Sequence, residues 1–158
     1  MGELAIQPTR DALKDLQEKI VACGSDGSEL PVTHHFADGV YGREIFIPKG
    51  VLVAGRIHKT EHISIISHGM VDVVVDYLET GKVETVTYVA PCTFISPPGT
   101  KRMVLAQEDT IWTTFHRHTG PRDEDAMIDI MSWKTYDDFE SDNLLASHCQ
   151  APEIEVKS

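Results

Sequence analysis

The residues of this sequence best suited to chemistry lie in one pentapeptide, His58-Lys59-Thr60-Glu61-His62. Two imidazoles and a carboxylate at this spacing can hold a zinc ion and activate water on it, provided that a helix carries them on one face. The flanking segments 51–57 and 63–67 are instead rich in β-branched residues, which favours strands. The helical peptidase hypothesis is therefore disfavoured, and we expect the two histidines at a tight bend between strands.

A third imidazole is available further along the chain. His116 ends the segment 110–116, whose alternating pattern indicates a strand. A site of His58, His62 and His116 would suit one divalent transition metal, either zinc, iron or nickel. Glu61 would then serve as a base beside the metal or as a fourth ligand. The alternative is a polar barrel mouth in which these histidines bind only water, arginine side chains and one another.

The rest of the chain indicates which elements would carry these histidines. Short β-rich segments alternate with turn residues from Tyr41 to His118, a pattern typical of an antiparallel sandwich or barrel. The predicted strands are residues 41–47, 51–57, 63–67, 71–78, 83–89, 93–96, 102–107 and 110–116, with a further strand at 126–131.

Helical patterns flank this β region. Thr9 is a candidate cap for an amphipathic helix that ends near Cys23. Thr135 and Asp138 match a capping box for a short second helix, and the chain beyond Asn143 is expected to be extended. The sequence thus divides into an N-terminal helix and loop arm at 1–40, a β-barrel at 41–134, and a C-terminal helix and extended tail at 135–158.

Composition restricts the partners and the compartment. The chain has 158 residues, enough for one domain with its own core. Its 14 basic and 25 acidic residues give a formal charge of −11, which would repel a phosphate backbone, so no nucleic-acid partner is expected. Three widely separated cysteines favour a reducing compartment. The sequence has neither a long apolar run nor a signal-peptide pattern, so neither membrane insertion nor secretion is expected.

Two longer spacings surround the histidines. The first is Arg56-x-His58-x3-His62-x6-Gly69, and the second is Pro91-x5-Pro97-Pro98-Gly99-x2-Arg102. Together they resemble the two motifs of the cupin superfamily. The resemblance implies a mainly β fold, a single cupin-like double-stranded β-helix (jelly-roll barrel) with the terminal helices outside it. Arg56 and Arg102 stand at two of the family's ligand positions, and because a guanidinium stays protonated, neither can bind a metal.

The two arginines indicate another use of the barrel. If both point inward, they form a cationic pocket for a carboxylate, a phosphate or a sugar acid, since guanidinium makes bidentate contacts with oxyanions. The predicted pocket residues are Arg56, Arg102, Trp112 and Thr114. The alternative is an internal ion pair of these arginines with Glu44 or Glu108.

Three segments, 58–62, 98–102 and 108–116, are similar to small cupin-like proteins encoded by tailed bacteriophages. This resemblance implies a non-enzymatic structural or assembly module, in the host-cell cytoplasm or incorporated in the virion. We expect such a module to form a homo-oligomer and to contact other virion proteins through its terminal helix and tail. The alternative is a metal-dependent cupin enzyme, or a binder of sugar acids or other carboxylates, with a histidine site in the barrel. The altered ligand set favours the first hypothesis.

Overall fold

A computed structural model describes residues 8–23 and 29–148 of the chain. Its helices are α1 (Arg10–Ala22), α2 (Glu124–Met131) and α3 (Tyr136–His148). One antiparallel sheet has the order β1 (Val32–Ala37), β2 (Val40–Ile47), β10 (Thr110–Arg117), β5 (His62–His68), β8 (Cys92–Ser96). The other has the order β11 (Ser132–Trp133), β4 (Ile57–His58), β9 (Thr100–Ala106), β6 (Met70–Tyr77), β7 (Lys82–Val89), and β3 (Leu52–Ala54) also pairs with β9.

The strand order is that of a jelly roll. Strands β2-β10-β5-β8 lie side by side in one sheet and β4-β9-β6-β7 in the other, so the chain crosses repeatedly between two facing antiparallel sheets. Eight strands wound in this way close a small barrel with an interior between the sheets. The predicted mainly β jelly-roll fold is confirmed.

The interior changes from apolar to polar along the strands. Trp112 lies opposite Ile66 of β5, whereas Thr114, two residues further along β10, lies opposite Ser64. Successive inward positions of a strand are two residues apart, so this step moves from one interior layer to the next. The apolar layers contain the buried residues Ile47, Val53, Ile66, Val71, Val73, Val75, Val104, Ala106 and Trp112. His62 and His116, each two residues beyond Ser64 and Thr114 along its strand, lie at the polar end of the barrel.

The segment 126–131 is helical, so its prediction as a strand was wrong. α2 begins after Asp123, whose carboxylate accepts hydrogen bonds from two backbone N–H groups of the first turn. Met127 and Met131 are four residues apart and both buried, as on one face of a helix. The segment is apolar except for Asp129, and such a continuous apolar run does not distinguish a strand from a helix.

Both predicted helix caps are confirmed. The Thr9 hydroxyl accepts a hydrogen bond from the backbone N–H of Ala12 at 3.2 Å. Thr135 and Asp138 form the reciprocal pair of a capping box, with backbone-to-side-chain distances of 3.0 and 3.1 Å. In the described ranges, none of the helices is long and apolar enough to cross a membrane.

The segments beside the barrel differ from their prediction at two places. α3 continues past Asn143 through His148, where an extended chain was expected, and residues 149–158 of the predicted tail lie outside the described residues. Residues 32–37, assigned to the N-terminal arm, form β1, which pairs with β2 and widens its sheet. The alternating burial of β1 was concealed by its polar residues.

Two helices attach to the outer side of the second sheet through one buried carboxylate. Asp76 of β6 is fully buried and accepts two hydrogen bonds from the Arg10 guanidinium of α1, at 2.9 and 2.8 Å. The Tyr136 hydroxyl of α3 donates to the same carboxylate at 3.1 Å. A more exposed ion pair, Lys14 with Glu140, joins the two helices directly. The buried contact is expected to contribute far more, because surface ion pairs contribute little.

Replacing Arg10 by Ala is expected to lower the free energy of unfolding by about 2–3 kcal/mol, because a buried carboxylate would lose its charged partner. Urea denaturation measures the change. Lys14→Ala is the matched control and is expected to cost less than about 1 kcal/mol, since its ion pair is more exposed. Equal losses in the two variants would show that Asp76 does not anchor the helices.

Candidate metal centre

The jelly roll brings three distant histidines together. His58 ends β4 in one sheet, His62 begins β5 in the other, and His116 lies near the end of β10, which pairs with β5. One ring nitrogen from each lies within 4.8 Å of those of the other two. The ring centroids are 4.2 Å apart for His58 and His62, 4.5 Å for His62 and His116, and 5.3 Å for His58 and His116. These three residues form the histidine cluster.

The bend between β4 and β5 positions the first two histidines. The backbone N–H of Lys59 donates to the Met131 carbonyl at 2.8 Å, and the His58 carbonyl accepts from Gly99 at 2.8 Å. Nδ1 of His62 lies 3.0 Å from the Thr60 carbonyl. Because a carbonyl only accepts, this nitrogen carries the proton and Nε2 of His62 is left free as a ligand atom. The pentapeptide is thus a bend between strands, as its flanks predicted.

The cluster holds several nitrogens that lack a partner. His62 and His116 are 3% and 2% exposed. Nδ1 of His58, Nε2 of His62 and both ring nitrogens of His116 are buried and form no hydrogen bond with any described residue. A buried polar atom without a partner costs about 1–3 kcal/mol, so proteins rarely leave several together. A cation shared by the three rings would satisfy one nitrogen of each.

The cluster is neutral at physiological pH. Burial lowers the pKa of His62 to about 4 and that of His116 to about 3; the charge of Arg102 adds to the effect on His62, and the charges of His62 and Arg43 add to that on His116. Burial, followed by the charges of the other two histidines, lowers the pKa of His58 well below its ordinary value. A metal binds the neutral imidazole, so no proton has to leave before an ion enters.

The metal-free protein is expected to lose stability as the pH falls from about 6.5 to about 4. A histidine in the unfolded chain takes up a proton near pH 6.5, but His62 does so only near 4 and His116 near 3, so the unfolded state binds more protons throughout this window. By pH 4.5 each is expected to contribute a loss of roughly 2 kcal/mol.

Urea unfolding at pH 7 and pH 4.5 measures this loss. Carboxylates also titrate in the window, so the informative quantity is the difference between wild type and His116→Leu, which is expected to lose less stability on acidification. The exposed His68 supplies a control, since His68→Asn should behave as wild type. An identical loss in wild type and His116→Leu would contradict the depressed pKa of His116.

Glu61 does not join the cluster. It is exposed, whereas the adjacent His62 turns inward, as expected of neighbouring residues in an extended chain. Within the described ranges, no Asp, Glu or Cys completes a larger ligand group with the three histidines. The donor set is therefore three neutral imidazoles, which suits zinc and other first-row divalent ions with a position left for a further ligand.

The predicted pocket residues do not line one cavity. Arg56 lines a cavity of about 570 Å³, whereas Arg102, Trp112 and Thr114 are absent from its wall. Arg102 is 7% exposed, donates to the Ser96 hydroxyl at 2.8 Å, and lies 5.6 and 5.8 Å from the ring centroids of Phe94 and Trp112. The contacts with these two aromatic faces partly offset the free-energy cost of burying the Arg102 charge.

The ion pair predicted for the arginines also has a different partner. Arg56 donates to the Ser132 hydroxyl at 2.8 Å and forms an ion pair with Asp129 at 2.6 Å, rather than with Glu44 or Glu108. Asp129 belongs to α2, the helix predicted as a strand, so this pairing was not visible in the sequence.

Sequence reasoning missed Arg43, which lines the same cavity as Arg56. The sequence did contain a pattern that places Arg43 inside the barrel. Alternate residues of β2 share the inward face, and these are Tyr41, Arg43, Ile45 and Ile47. An arginine in a row that is otherwise apolar or aromatic indicates a cation held inside the barrel.

Comparison with known proteins gives similarity at the level of the fold. No protein-family model matches the chain, and no curated protein matches it. An oxalate oxidase in complex with glycolate is 17% identical over 58% of this chain and 52% of its own, with a TM-score of 0.48. Salicylate 1,2-dioxygenase from Pseudoaminobacter salicylatoxidans is 15% identical over 66% of this chain and 32% of its own, with a TM-score of 0.47. A cupin superfamily protein from Desulfitobacterium hafniense is 10% identical over 57% of this chain and 78% of its own, with a TM-score of 0.45.

The chain spans about half the length of the oxalate oxidase that it matches. The structural neighbours include two enzymes and a protein of the cupin superfamily. The chain's own strand order and histidine cluster define a jelly-roll protein with three neighbouring histidines, of which His62 and His116 are buried and His58 is half-buried.

Proposed function

We propose that this protein is a metal-dependent binder or enzyme for a small molecule, with one divalent zinc, iron or nickel ion held by His58, His62 and His116. The observation that carries the proposal is the set of buried ring nitrogens, one or more on each histidine, that converge without a hydrogen-bond partner. Such a set is costly in a purely structural core and is what a cation requires.

The protein's own residues prepare this site. The Thr60 carbonyl fixes the tautomer of His62, and burial keeps all three rings neutral. Tyr41 packs beside His116 with ring centroids 6.4 Å apart, and its hydroxyl lies 2.6 Å from Nδ1 of His34. Tyr41 therefore lies beside both His116 of the cluster and His34. When bound, the metal would supply a Lewis acid for an oxygen of the bound molecule.

Titration of the metal-free protein with Co²⁺, followed by visible absorption, tests the proposal. We expect one equivalent to bind and to produce the ligand-field bands of a low-coordinate site. His62→Asn should lose these bands, and the exposed His68→Asn should keep them. Binding that is equally strong in wild type and His62→Asn would place the ion elsewhere and refute the proposal.

A second candidate function, self-association of an assembly module, is supported by the outer face of the first sheet. Ile63 of β5 lies opposite Phe115 of β10 and Ile95 of β8, and the two isoleucines are 46% and 68% exposed. The protein carries a net charge of −11, so two copies repel except where they meet through an uncharged face. A virion-associated role, expected from the phage resemblance, would use this face between identical subunits.

Sedimentation at micromolar concentration is expected to show a dimer or larger oligomer for wild type and a monomer for Ile95→Lys, because a charge buried in an apolar interface has no partner. Val89→Lys is the matched control, since Val89 is 59% exposed but belongs to β7 of the other sheet. A wild-type monomer would remove the assembly role while leaving the metal proposal intact.

A further inference from the structure

We propose that Arg102 holds a small carboxylate inside the barrel, next to the histidine cluster, and that this anion is the ligand or substrate of the metal centre. The inference rests on the proposed metal function. It specifies the chemical class of the bound molecule and the residue that recognises it.

Arg102 lies in the interior layer next to the histidine cluster. Successive inward positions of a strand are two residues apart, so a residue two positions from a histidine belongs to the adjoining layer. This residue is Ser64 in β5 and Thr114 in β10, and the two lie opposite each other. In the second sheet His58 lies opposite Thr100, and Arg102 follows Thr100 by two positions in β9. Arg102 therefore shares one layer with Ser64 and Thr114, directly inside the three rings.

A hydrogen bond fixes the guanidinium close to one ligand of the cluster. Nη2 of Arg102 donates to the Ser96 hydroxyl at 2.8 Å, and Ser96 lies opposite His62 in the pairing of β5 with β8. The Ser96 hydroxyl is also 3.2 Å from that of Ser64. Both serines are fully buried. Strand register and hydrogen bonding thus place Arg102 beside the proposed metal centre.

Arg102 is a buried cation without a charged partner in the described ranges. It is 7% exposed, its Nε is buried without a partner, and Ser96 is the only described residue to which its side chain donates. Glu84, the acid in the same row of the sheet two strands away, forms an ion pair with Lys82 at 2.8 Å and accepts a hydrogen bond from Tyr77 at 2.7 Å. Proteins seldom bury a charge without a counter-ion, so an anion is expected beside Arg102.

A second donor without a partner lies next to this guanidinium. Nε1 of Trp112 is buried and donates to none of the described residues, and the centroid of a Trp112 ring is 5.8 Å from Cζ of Arg102. An indole N–H and a guanidinium can only donate, so both groups require an acceptor. A bound anion would supply one to each.

The charge of the metal centre favours an anion at the same place. Three neutral imidazoles would leave the charge of a divalent ion uncompensated, and in the described ranges no acidic side chain completes the ligand set. An ion with three protein ligands keeps a position for a further ligand. An anion in that position, on the side of the inner layer, would meet positive charge both at the metal and at Arg102.

The shape of the donors and the space around them limit the class of anion. A guanidinium matches a planar carboxylate through two parallel hydrogen bonds. The cavities of about 570 and 420 Å³ lie elsewhere, with neither Arg102 nor Trp112 in their walls. We therefore expect an acid of few atoms, such as formate or acetate, rather than one with a bulky substituent or the larger, tetrahedral phosphate.

Visible absorption of the Co²⁺-loaded protein tests the inference, with formate, acetate, benzoate and inorganic phosphate as separate probes. We expect formate or acetate to change the ligand-field bands of wild type with a millimolar dissociation constant, the range open to so small a ligand. Benzoate should bind at least tenfold more weakly. Arg102→Met should weaken the binding of the small acid tenfold or more while cobalt content stays unchanged. Arg102→Lys, which keeps the charge but loses the two-pronged contact, should give an intermediate affinity. Arg122→Gln controls for net charge, because Arg122 is exposed.

The outcomes separate this inference from the metal proposal. If wild type takes up cobalt but neither formate nor acetate binds, or if both Arg102 variants bind as wild type does, the inference is wrong. Binding of phosphate alone, or of benzoate as tightly as acetate, would refute the small-carboxylate class. If no cobalt binds, the proposed function fails, and calorimetric titration of the metal-free protein with formate still tests Arg102, since binding must then be absent from Arg102→Met. Thermal melts identify a misfolded Arg102→Met, in which case Arg102→Lys decides.

Discussion

Zinc in excess is expected to stabilise the metal-free protein by about 4 kcal/mol when its free concentration is a thousand times the dissociation constant, because the ion binds the folded state and not the unfolded chain. The physical source is the convergence of His58, His62 and His116, whose free nitrogens already lie within 4.8 Å of one another. The folded chain therefore already holds the three ligands close together. Urea denaturation with and without added zinc measures the increment.

The effect of His116→Leu on the free energy of unfolding is expected to differ in sign between the metal-free and the zinc-loaded protein. In wild type both ring nitrogens of His116 are buried without a partner, so an apolar replacement removes that cost. The metal-free variant should therefore be as stable as wild type, or more stable by up to about 2 kcal/mol. With zinc present, the variant should lose the whole increment. His68→Leu, at an exposed position, should keep it.

A purely structural role for His116 predicts a different result. If His116 only packs the interior, His116→Leu should shift stability equally with and without zinc. Retention of the zinc increment in that variant would contradict the account.

Gly69→Ala is expected to destabilise the protein by about 3 kcal/mol or more, since backbone strain and steric overlap add. Gly69 joins β5 to β6 with φ of +92°. A Cβ at this position would lie 2.3 Å from the Asp109 carbonyl oxygen and 2.8 Å from the Thr110 Cα, and neither backbone atom can move easily. The substitution would therefore displace β10, which carries His116.

Gly81→Ala supplies the matched control for this prediction. Gly81 also has a positive φ, +75°, but a Cβ there would meet nothing within 4 Å. Only the backbone strain remains, about 1 kcal/mol. Chemical denaturation of both variants isolates the steric contribution of Gly69. Similar losses would show that the close approach of β10 to Gly69 is not a structural constraint.

The sequence predicts the histidine cluster because strand periodicity and motif spacing are local signals. His58 and His62 lie on either side of one bend, and the period of two in 110–116 turns His116 inward. The caps at Thr9 and Thr135 are local in the same sense. A jelly roll then follows from the number of short strands and the motif spacing.

The rest of the site depends on contacts that local patterns do not encode. Segment 126–131 is apolar except for Asp129, a pattern that a strand and a helix can share, but Asp123 caps it as a helix and both of its methionines are buried. Arg56 finds its acid, Asp129, on that helix. Arg102 is compensated by aromatic rings from other strands rather than by a carboxylate. Each of these outcomes requires the tertiary arrangement. Arg43 is a different case, because the alternation of β2 already places it on the inward face.

The measurement that tests the central claim most directly is anomalous X-ray diffraction at the zinc absorption edge, from crystals of the zinc-loaded protein. We predict one strong peak, about 2.0–2.1 Å from a ring nitrogen of each of His58, His62 and His116, the usual distance between zinc and histidine nitrogen. A zinc peak bound by other residues, or none among these three rings in fully loaded protein, would contradict the account.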